Sequence, residues 1–426
     1  MTRIVRIALV IILAAVSAAP LAAQEAVPPR FFIERVEVRG ADDVSPDVVI
    51  AESRLRSGHE YSETDLRDAA ARLTRLPFLL SAEFSLEKGS ERGMYLLVIT
   101  VSETKSFFYA LDLRQIQTSG PDVEPDYSDR IGQSDMFGTL GMRWFLGRRG
   151  ALHIALVANN YDSNFARDYI AFAVGYTQYD LFGTRAFATL SMKQLILEGG
   201  DGVSPQLVVG IPISANQTLT MEFDHTQFGD DIRDIIGFPI PTSRDQRIVG
   251  LTWSYNTTNR PFLPTRGTLL SVQPRASWSD AATYIFVPDL EGEPFPPVLG
   301  VVGDTVHTRS QQVRANAARY WEISKRASLS AGIEAAWTQF EADSEILGAS
   351  EDTVASAVII GGFSYSLWSA EEIRNGDSRV EINARIGNRS IRYYDLGEAA
   401  DQQQVSASWV RRSSFGTLRL GVGFAW

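Results

Sequence analysis

Apolar side chains recur at every second position along most of this chain, and that spacing is what most constrains its fold. In Leu418-Arg419-Leu420-Gly421-Val422-Gly423-Phe424-Ala425-Trp426, a strand places Leu418, Leu420, Val422, Phe424 and Trp426 on one face and Arg419, Gly421, Gly423 and Ala425 on the other. The charge is kept off the apolar face. One such segment fits a soluble sheet as well as a membrane, so recurrence and surroundings decide.

From Lys105 onward the pattern repeats in segments of about ten residues. Phe107, Tyr109, Leu111 and Leu113 share a face opposite Asp112 and Arg114. Val249, Leu251, Trp253 and Tyr255 oppose Gly250, Thr252, Ser254 and Asn256, and Val405, Ala407 and Trp409 oppose Ser406 and Ser408. A soluble sandwich hides its apolar face against another sheet and spreads charge over the exposed one. Here the second face is rich in Gly, Ser, Thr, Asn and Arg, which suits a crowded hydrated interior. Aromatic residues near segment ends, at Tyr255, Trp278, Tyr320, Trp321 and Trp426, stand where membrane interfaces hold them. After residue 24 no apolar run approaches the roughly eighteen residues of a spanning helix, although 45% of the chain is hydrophobic. Such a chain crosses a membrane as strands.

Connection lengths support a barrel with short turns at one end and long loops at the other. The brief connections include Arg148-Arg149, Asp180 and Asn216, and the long ones span 117–135, 228–243, 279–305 and 341–375. The segments sum to an odd number, whereas a barrel with both ends on one side needs an even one. Counting Val354 to Leu367 as a further strand gives sixteen, with fourteen as the fallback.

The first part of the chain has a different texture. Residues 1–23 read as a signal peptide: Arg3 and Arg6 precede the apolar stretch Ile7 to Ala15, and small residues lead to Ala23. Residues 30–104 read strand, helix, helix, strand, strand, a small α+β domain. Ser45-Pro46-Asp47 and Ser62-Glu63-Thr64-Asp65 are helix starts, and Ala82 to Lys88 pairs with Met94 to Glu103 as a hairpin. Residues 105–426 are then the barrel.

Cysteine is absent, which removes disulfides and thiolate metal sites. A net charge of -11 without a basic cluster argues against nucleic acid. His59, His153, His225 and His307 are isolated, and Ser102-Glu103-Thr104-Lys105, a Ser-x-x-Lys match, falls at the domain junction. No enzyme, cofactor, metal site or small-molecule substrate is expected.

Two motifs carry a family resemblance: Arg75-Leu76-Pro77-Phe78 leading into Phe84-Ser85-Leu86-Glu87-Lys88-Gly89, and Phe262-Leu263-Pro264-Thr265-Arg266-Gly267-Thr268 opening a barrel strand. With them the chain resembles the BamA/TamA-type outer-membrane assembly factors, as one polypeptide-transport-associated (POTRA) domain followed by a surface-antigen-like barrel of a Gram-negative bacterium. The second motif, with Phe262, Pro264, Thr265 and Gly267, reads as architectural, a tight turn before the strand.

The resemblance implies a barrel in the bacterial outer membrane, the POTRA domain in the periplasm, and a lateral seam where first and last strands pair loosely. Phe107, Tyr109, Leu111 and Leu113 would meet Leu418, Leu420, Gly421, Val422, Gly423, Phe424 and Trp426 there. Unfolded outer-membrane or secreted polypeptides would be the clients, beside outer-membrane lipid as the other partner. They would extend the POTRA sheet along Ala82, Phe84 and Leu86. Gly361-Gly362-Phe363 matches the start of the family's sixth extracellular loop, but Trp368 stands where the family has an arginine, so the loop-locking contact is in doubt. A single POTRA copy points to a specialised or accessory member, and a passive structural or pore-forming barrel is the alternative.

Overall fold

The computed structural model describes residues 29–425 apart from 74–75, 77, 119–132, 147–148, 161–168, 183, 185, 198–199, 215, 236–237, 261–262, 289–297, 345–347, 369–376 and 394–395. The expected signal peptide, Arg75, Pro77, Phe262 and Trp426 therefore lie outside the described residues.

A four-stranded sheet comes first. Its strands are β1 (Arg30–Arg39), β2 (His59–Ser62), β3 (Leu79–Lys88) and β4 (Met94–Glu103), ordered β2-β1-β4-β3, with α1 (Pro46–Ser53) and α2 (Glu63–Leu73) between them in the chain. Both helix starts are capped. Ser45 accepts from Asp47 N at 3.3 Å with Pro46 in the first turn. Ser62 Oγ accepts from Asp65 N at 3.2 Å, while Asp65 Oδ2 accepts from Ser62 N at 2.8 Å. That reciprocal pair satisfies donors the first turn would otherwise leave open. Ile33, Leu97 and Ile99 of the sheet and Val49 and Leu73 of the helices are fully buried between the two layers.

One element departs from the expected strand-helix-helix-strand-strand order. His59-Glu60-Tyr61-Ser62 forms β2, an extra edge strand antiparallel to β1, with Phe31 opposite Tyr61. Four residues, three of them titratable, show no alternation, so only pairing with β1 makes them a strand.

Fifteen strands then close a barrel. They are β5 (Phe107–Thr118), β6 (Gln133–Leu146), β7 (Gly150–Asn160), β8 (Tyr169–Leu181), β9 (Ala186–Leu197), β10 (Gly200–Pro212), β11 (Gln217–Ile235), β12 (Phe238–Asn256), β13 (Gly267–Pro288), β14 (Val298–Glu322), β15 (Ala327–Asp343), β16 (Ser350–Ser366), β17 (Asp377–Tyr393), β18 (Leu396–Ser413) and β19 (Gly416–Ala425). Neighbours pair antiparallel around the ring until β19 meets β5, where the pairing is parallel.

The count falls between the sixteen and fourteen expected, and its oddness has a clear origin. Val354 to Ser366 does fall in a strand, β16, but the chain after it holds only three more, with β17 running on to Tyr393, β18 beginning at Leu396 and β19 closing the ring. An odd ring of antiparallel neighbours leaves its first and last strands pointing the same way, so the requirement of an even number does not hold here. Two expected loops also shrink. β11 and β12 continue through most of 228–243, and β13 and β14 pair as far as Pro288 with Val298.

Candidate functional site

The barrel wall has two chemically distinct faces. Leu140, Met142, Trp144, Leu190, Met192, Ile359, Ile382, Ile386, Val422 and Phe424 point outward, with Leu190 61% and Ile359 64% exposed. Such a belt around a closed sheet far exceeds what a water-soluble surface tolerates, and lipid is the solvent that accepts it. Inward positions carry ion pairs instead: Arg114 with Asp112, Arg385 with Glu334, Arg419 with Glu381 at 3.1 Å and Arg275 with Glu222 at 3.0 Å. Two of these pairs, Arg385 with Glu334 and Arg419 with Glu381, line a cavity of about 480 Å³ whose walls also include Arg114 and Asn383.

This chain is a transmembrane β-barrel. No protein-family model matches it, and no curated protein does. Among solved structures it is similar to BamA from Haemophilus ducreyi lacking POTRA domains 1–3, at TM-score 0.40 and 12% identity over 93% of this chain and 85% of that one. It is similar to CdiB from Acinetobacter baumannii at TM-score 0.39 and 7% identity, over 93% and 74%. OmpT of Vibrio cholerae, the in-vitro folded trimer form, gives TM-score 0.31 and 11% identity over 76% and 97%. The barrel itself rests on the strand pairing of this chain.

At the closing seam Leu111 lies opposite Leu418, Asp112 opposite Arg419, Leu113 opposite Leu420, and Arg114 opposite Gly421. The register continues through Val422, Gly423 and Phe424, against residues 115–117. Phe107 precedes the paired stretch, and Tyr109 sits beside Gly416 rather than beside any residue expected at the seam. Gly416 is required there: its φ is +149°, and a Cβ would overlap the Tyr109 carbonyl oxygen. A Cβ on Gly421 would press on Ser408 Cβ at 3.2 Å and touch Arg114 Cγ at an ordinary 3.5 Å. The base of the seam is tied to the linker after β4, with Lys105 N donating to Ser414 O and Tyr109 N to Phe415 O, both at 2.8 Å.

The small domain is docked on the same end of the barrel, here called proximal. Phe78, 1% exposed, meets Phe145 edge-on at 5.1 Å and Tyr179 at 5.3 Å, and one apolar cluster runs from the domain core to Ala151 and Tyr179. Ala82, Phe84 and Leu86 lie on β3, which among the described residues pairs only with β4 and is a sheet edge. Their side chains face the domain core, so what the edge offers a partner is backbone.

Gly361, Gly362 and Phe363 correct the sixth-loop expectation. They stand inside β16, opposite Ala331, Ser330 and Leu329 of β15, and therefore in the wall. Trp368 follows in the proximal connection and stacks on Arg411, whose guanidinium carbon lies 5.8 Å from the ring centroid. The turn before β13 is built around Asn259, which accepts from Thr265 N at 3.0 Å and donates to Thr265 Oγ1 at 2.8 Å. Gly267 adopts φ +111° against the Thr257 carbonyl, where a side chain has no room. Pro264 lines the lumen cavity.

A buried polar cluster at this end was missed from sequence. Asp377 Oδ1 accepts from Ser366 Oγ at 2.7 Å, and its Oδ2 accepts from Arg379 Nε at 2.5 Å and Arg260 Nη1 at 3.3 Å. Arg379 is 1% exposed and also donates to Ser364 Oγ at 3.1 Å. Arg412 lies opposite Asp377 across β17 and β18. The readable signal was Asp377-x-Arg379, an acid and a base on one strand face; the partners at 260 and 412 are joined only by the fold.

Proposed function

We propose that this chain is an outer-membrane protein of the BamA/TamA-like kind that assists insertion, assembly or translocation of polypeptides through the β5/β19 seam. In this reading residues 1–23 direct export, 30–104 form a periplasmic POTRA domain, and 105–426 form the barrel. The observation that carries it is the seam: alone among the described barrel pairs it is parallel, and parallel pairing is slightly weaker per residue. Gly421 and Gly423 leave little side chain there to interlock. The linker from the small domain is bonded to the turn just before β19, so movement of the domain acts on the base of the seam.

An incoming strand would pair with the N–H and C=O groups that separation of β5 from β19 exposes. The β3 edge near Ala82, Phe84 and Leu86 would hold an extended client first. In living cells, photo-crosslinkers at 107–114 and 418–426 test this. Trapped outer-membrane or secreted polypeptides support the reading, and adducts to lipid alone count against it.

A passive barrel is the second reading, favoured by an unbroken seam register from Tyr109 with Gly416 onward. Deleting residues 30–104 separates the two. Loss of particular outer-membrane proteins fits assembly, whereas altered solute flux with unchanged proteins fits a pore.

A further inference from the structure

We propose that Arg419 is a latch residue of the β5/β19 seam, held in a releasing position by Glu381 and able to lock the seam through Asp112. Ion pairs that skip one strand brace the inner wall: Glu222 on β11 with Arg275 on β13, Glu334 on β15 with Arg385 on β17, and Glu381 on β17 with Arg419 on β19. The last two share β17 and tie β15, β17 and β19 together. At the seam the register puts Asp112 of β5 directly opposite Arg419 of β19, an acid beside a base. No hydrogen bond or ion pair joins these two. Arg419 Nη2 instead reaches back over β18 to Glu381 Oε2 at 3.1 Å, and Asp112 takes Arg114 of its own strand, with Arg114 Nε donating to Asp112 Oδ1 at 2.8 Å.

The lumen makes the other pairing reachable. Neighbouring strands lie about 4.8 Å apart, so a guanidinium on β19 spans the distance to a carboxylate at the opposed position of β5 with no shift of the backbone. Arg419 and Glu381 both line the lumen cavity, beside Arg114, Ser408 and Gly421, and that space lets the arginine turn. Ser408 stands opposite both Glu381 and Gly421, so one short side chain and one missing side chain flank the path across β18. Arg419 and Glu381 are half-buried, and water screens their attraction only in part. While Glu381 holds Arg419, the two closing strands gain nothing from the charges at this register position. Once Arg419 turns to Asp112 they do, because opposite charges on facing residues add to the stability of paired strands. The latch deepens the seam reading and rests on it for its biological role, whereas the choice between Glu381 and Asp112 is a property of the barrel alone.

The test is hydrogen exchange of the full-length protein folded in detergent, read by mass spectrometry over 107–118 and 416–425, the two seam strands. Glu381→Gln frees Arg419 for Asp112 and should slow exchange in both strands roughly two- to tenfold, the range of an ion pair that water partly screens. Adding Asp112→Asn to that variant should return exchange to the rate of the unaltered protein. If Glu381→Gln does not fold, Glu381→Asp replaces it: this withdraws the carboxylate by one methylene and should slow exchange by a smaller factor. Unchanged or faster exchange in the variant that folds, or slowing that survives Asp112→Asn, overturns the latch. Trapping of polypeptides by the seam crosslinkers in cells is scored apart. A seam that tightens in detergent while trapping stays the same supports the latch and counts against passage of clients.

Discussion

The ring of Phe78 meets the ring of Tyr179 edge-on at 5.3 Å, and this contact joins the small domain to the inner rim of the barrel. Phe145 closes on the same side chain from β6, so a single aromatic residue is held between two barrel strands. Edge-to-face pairs add to the burial of the rings themselves. The domain is thereby fixed under β6 to β8, close to the strand that begins the seam.

Phe78→Ala should therefore uncouple the domain while leaving the barrel folded. Truncating a fully buried phenylalanine costs about 3–5 kcal/mol. Limited proteolysis should cut the linker near Thr104 faster, with the heat-dependent gel shift of the barrel unchanged. Equal cleavage of both proteins would show that the contact does not hold the domain.

Leu190→Arg tests the lipid-facing belt. Leu190 is 61% exposed on the outward face, and an arginine in the hydrocarbon costs roughly 2–4 kcal/mol, so unfolding from lipid vesicles should shift to lower urea. Three residues on, the opposite face already carries Lys193, so Ser191→Lys should have a much smaller effect. Similar losses at both positions would contradict the inside-outside assignment.

The start of α2 gives a pH dependence. The Ser62 backbone N–H, with help from its hydroxyl, holds the Asp65 carboxyl below its ordinary range, as the Ser90 backbone N–H does for Glu34. A lowered folded value means stability that is complete above the ordinary carboxylate value near 4 and lost as pH falls through the depressed one. Hydrogen exchange in α2 should accelerate in that acidic window. Ser62→Ala should cost about 1 kcal/mol at neutral pH. A penalty in Asp65→Ala that stays constant from neutral to strongly acid pH would contradict this assignment.

The inside-outside alternation was legible because each side chain reports its own face: Leu418, Leu420 and Val422 needed no partner to declare themselves. What pairing decides was not legible. The division between β17 and β18 depends on where the chain turns, and β2 exists only because β1 accepts it. Gly361-Gly362-Phe363 suggested a loop only through its likeness to a family motif, while alternation over Val354 to Leu367 suggested a strand; the ladder with β15 makes it wall. The cluster at Asp377 gathers residues more than a hundred positions apart, and only the β17/β18 register and the turn before β13 bring them together.

A disulfide across the seam gives the most direct test. The chain has no cysteine, so Leu111→Cys with Leu418→Cys introduces the only two thiols, at opposed positions of the parallel register. Oxidation should lock β5 to β19, leave the barrel folded, and lower the amount of particular outer-membrane or secreted proteins until a reductant restores them. A bond that forms readily and changes none of those proteins would contradict an opening seam.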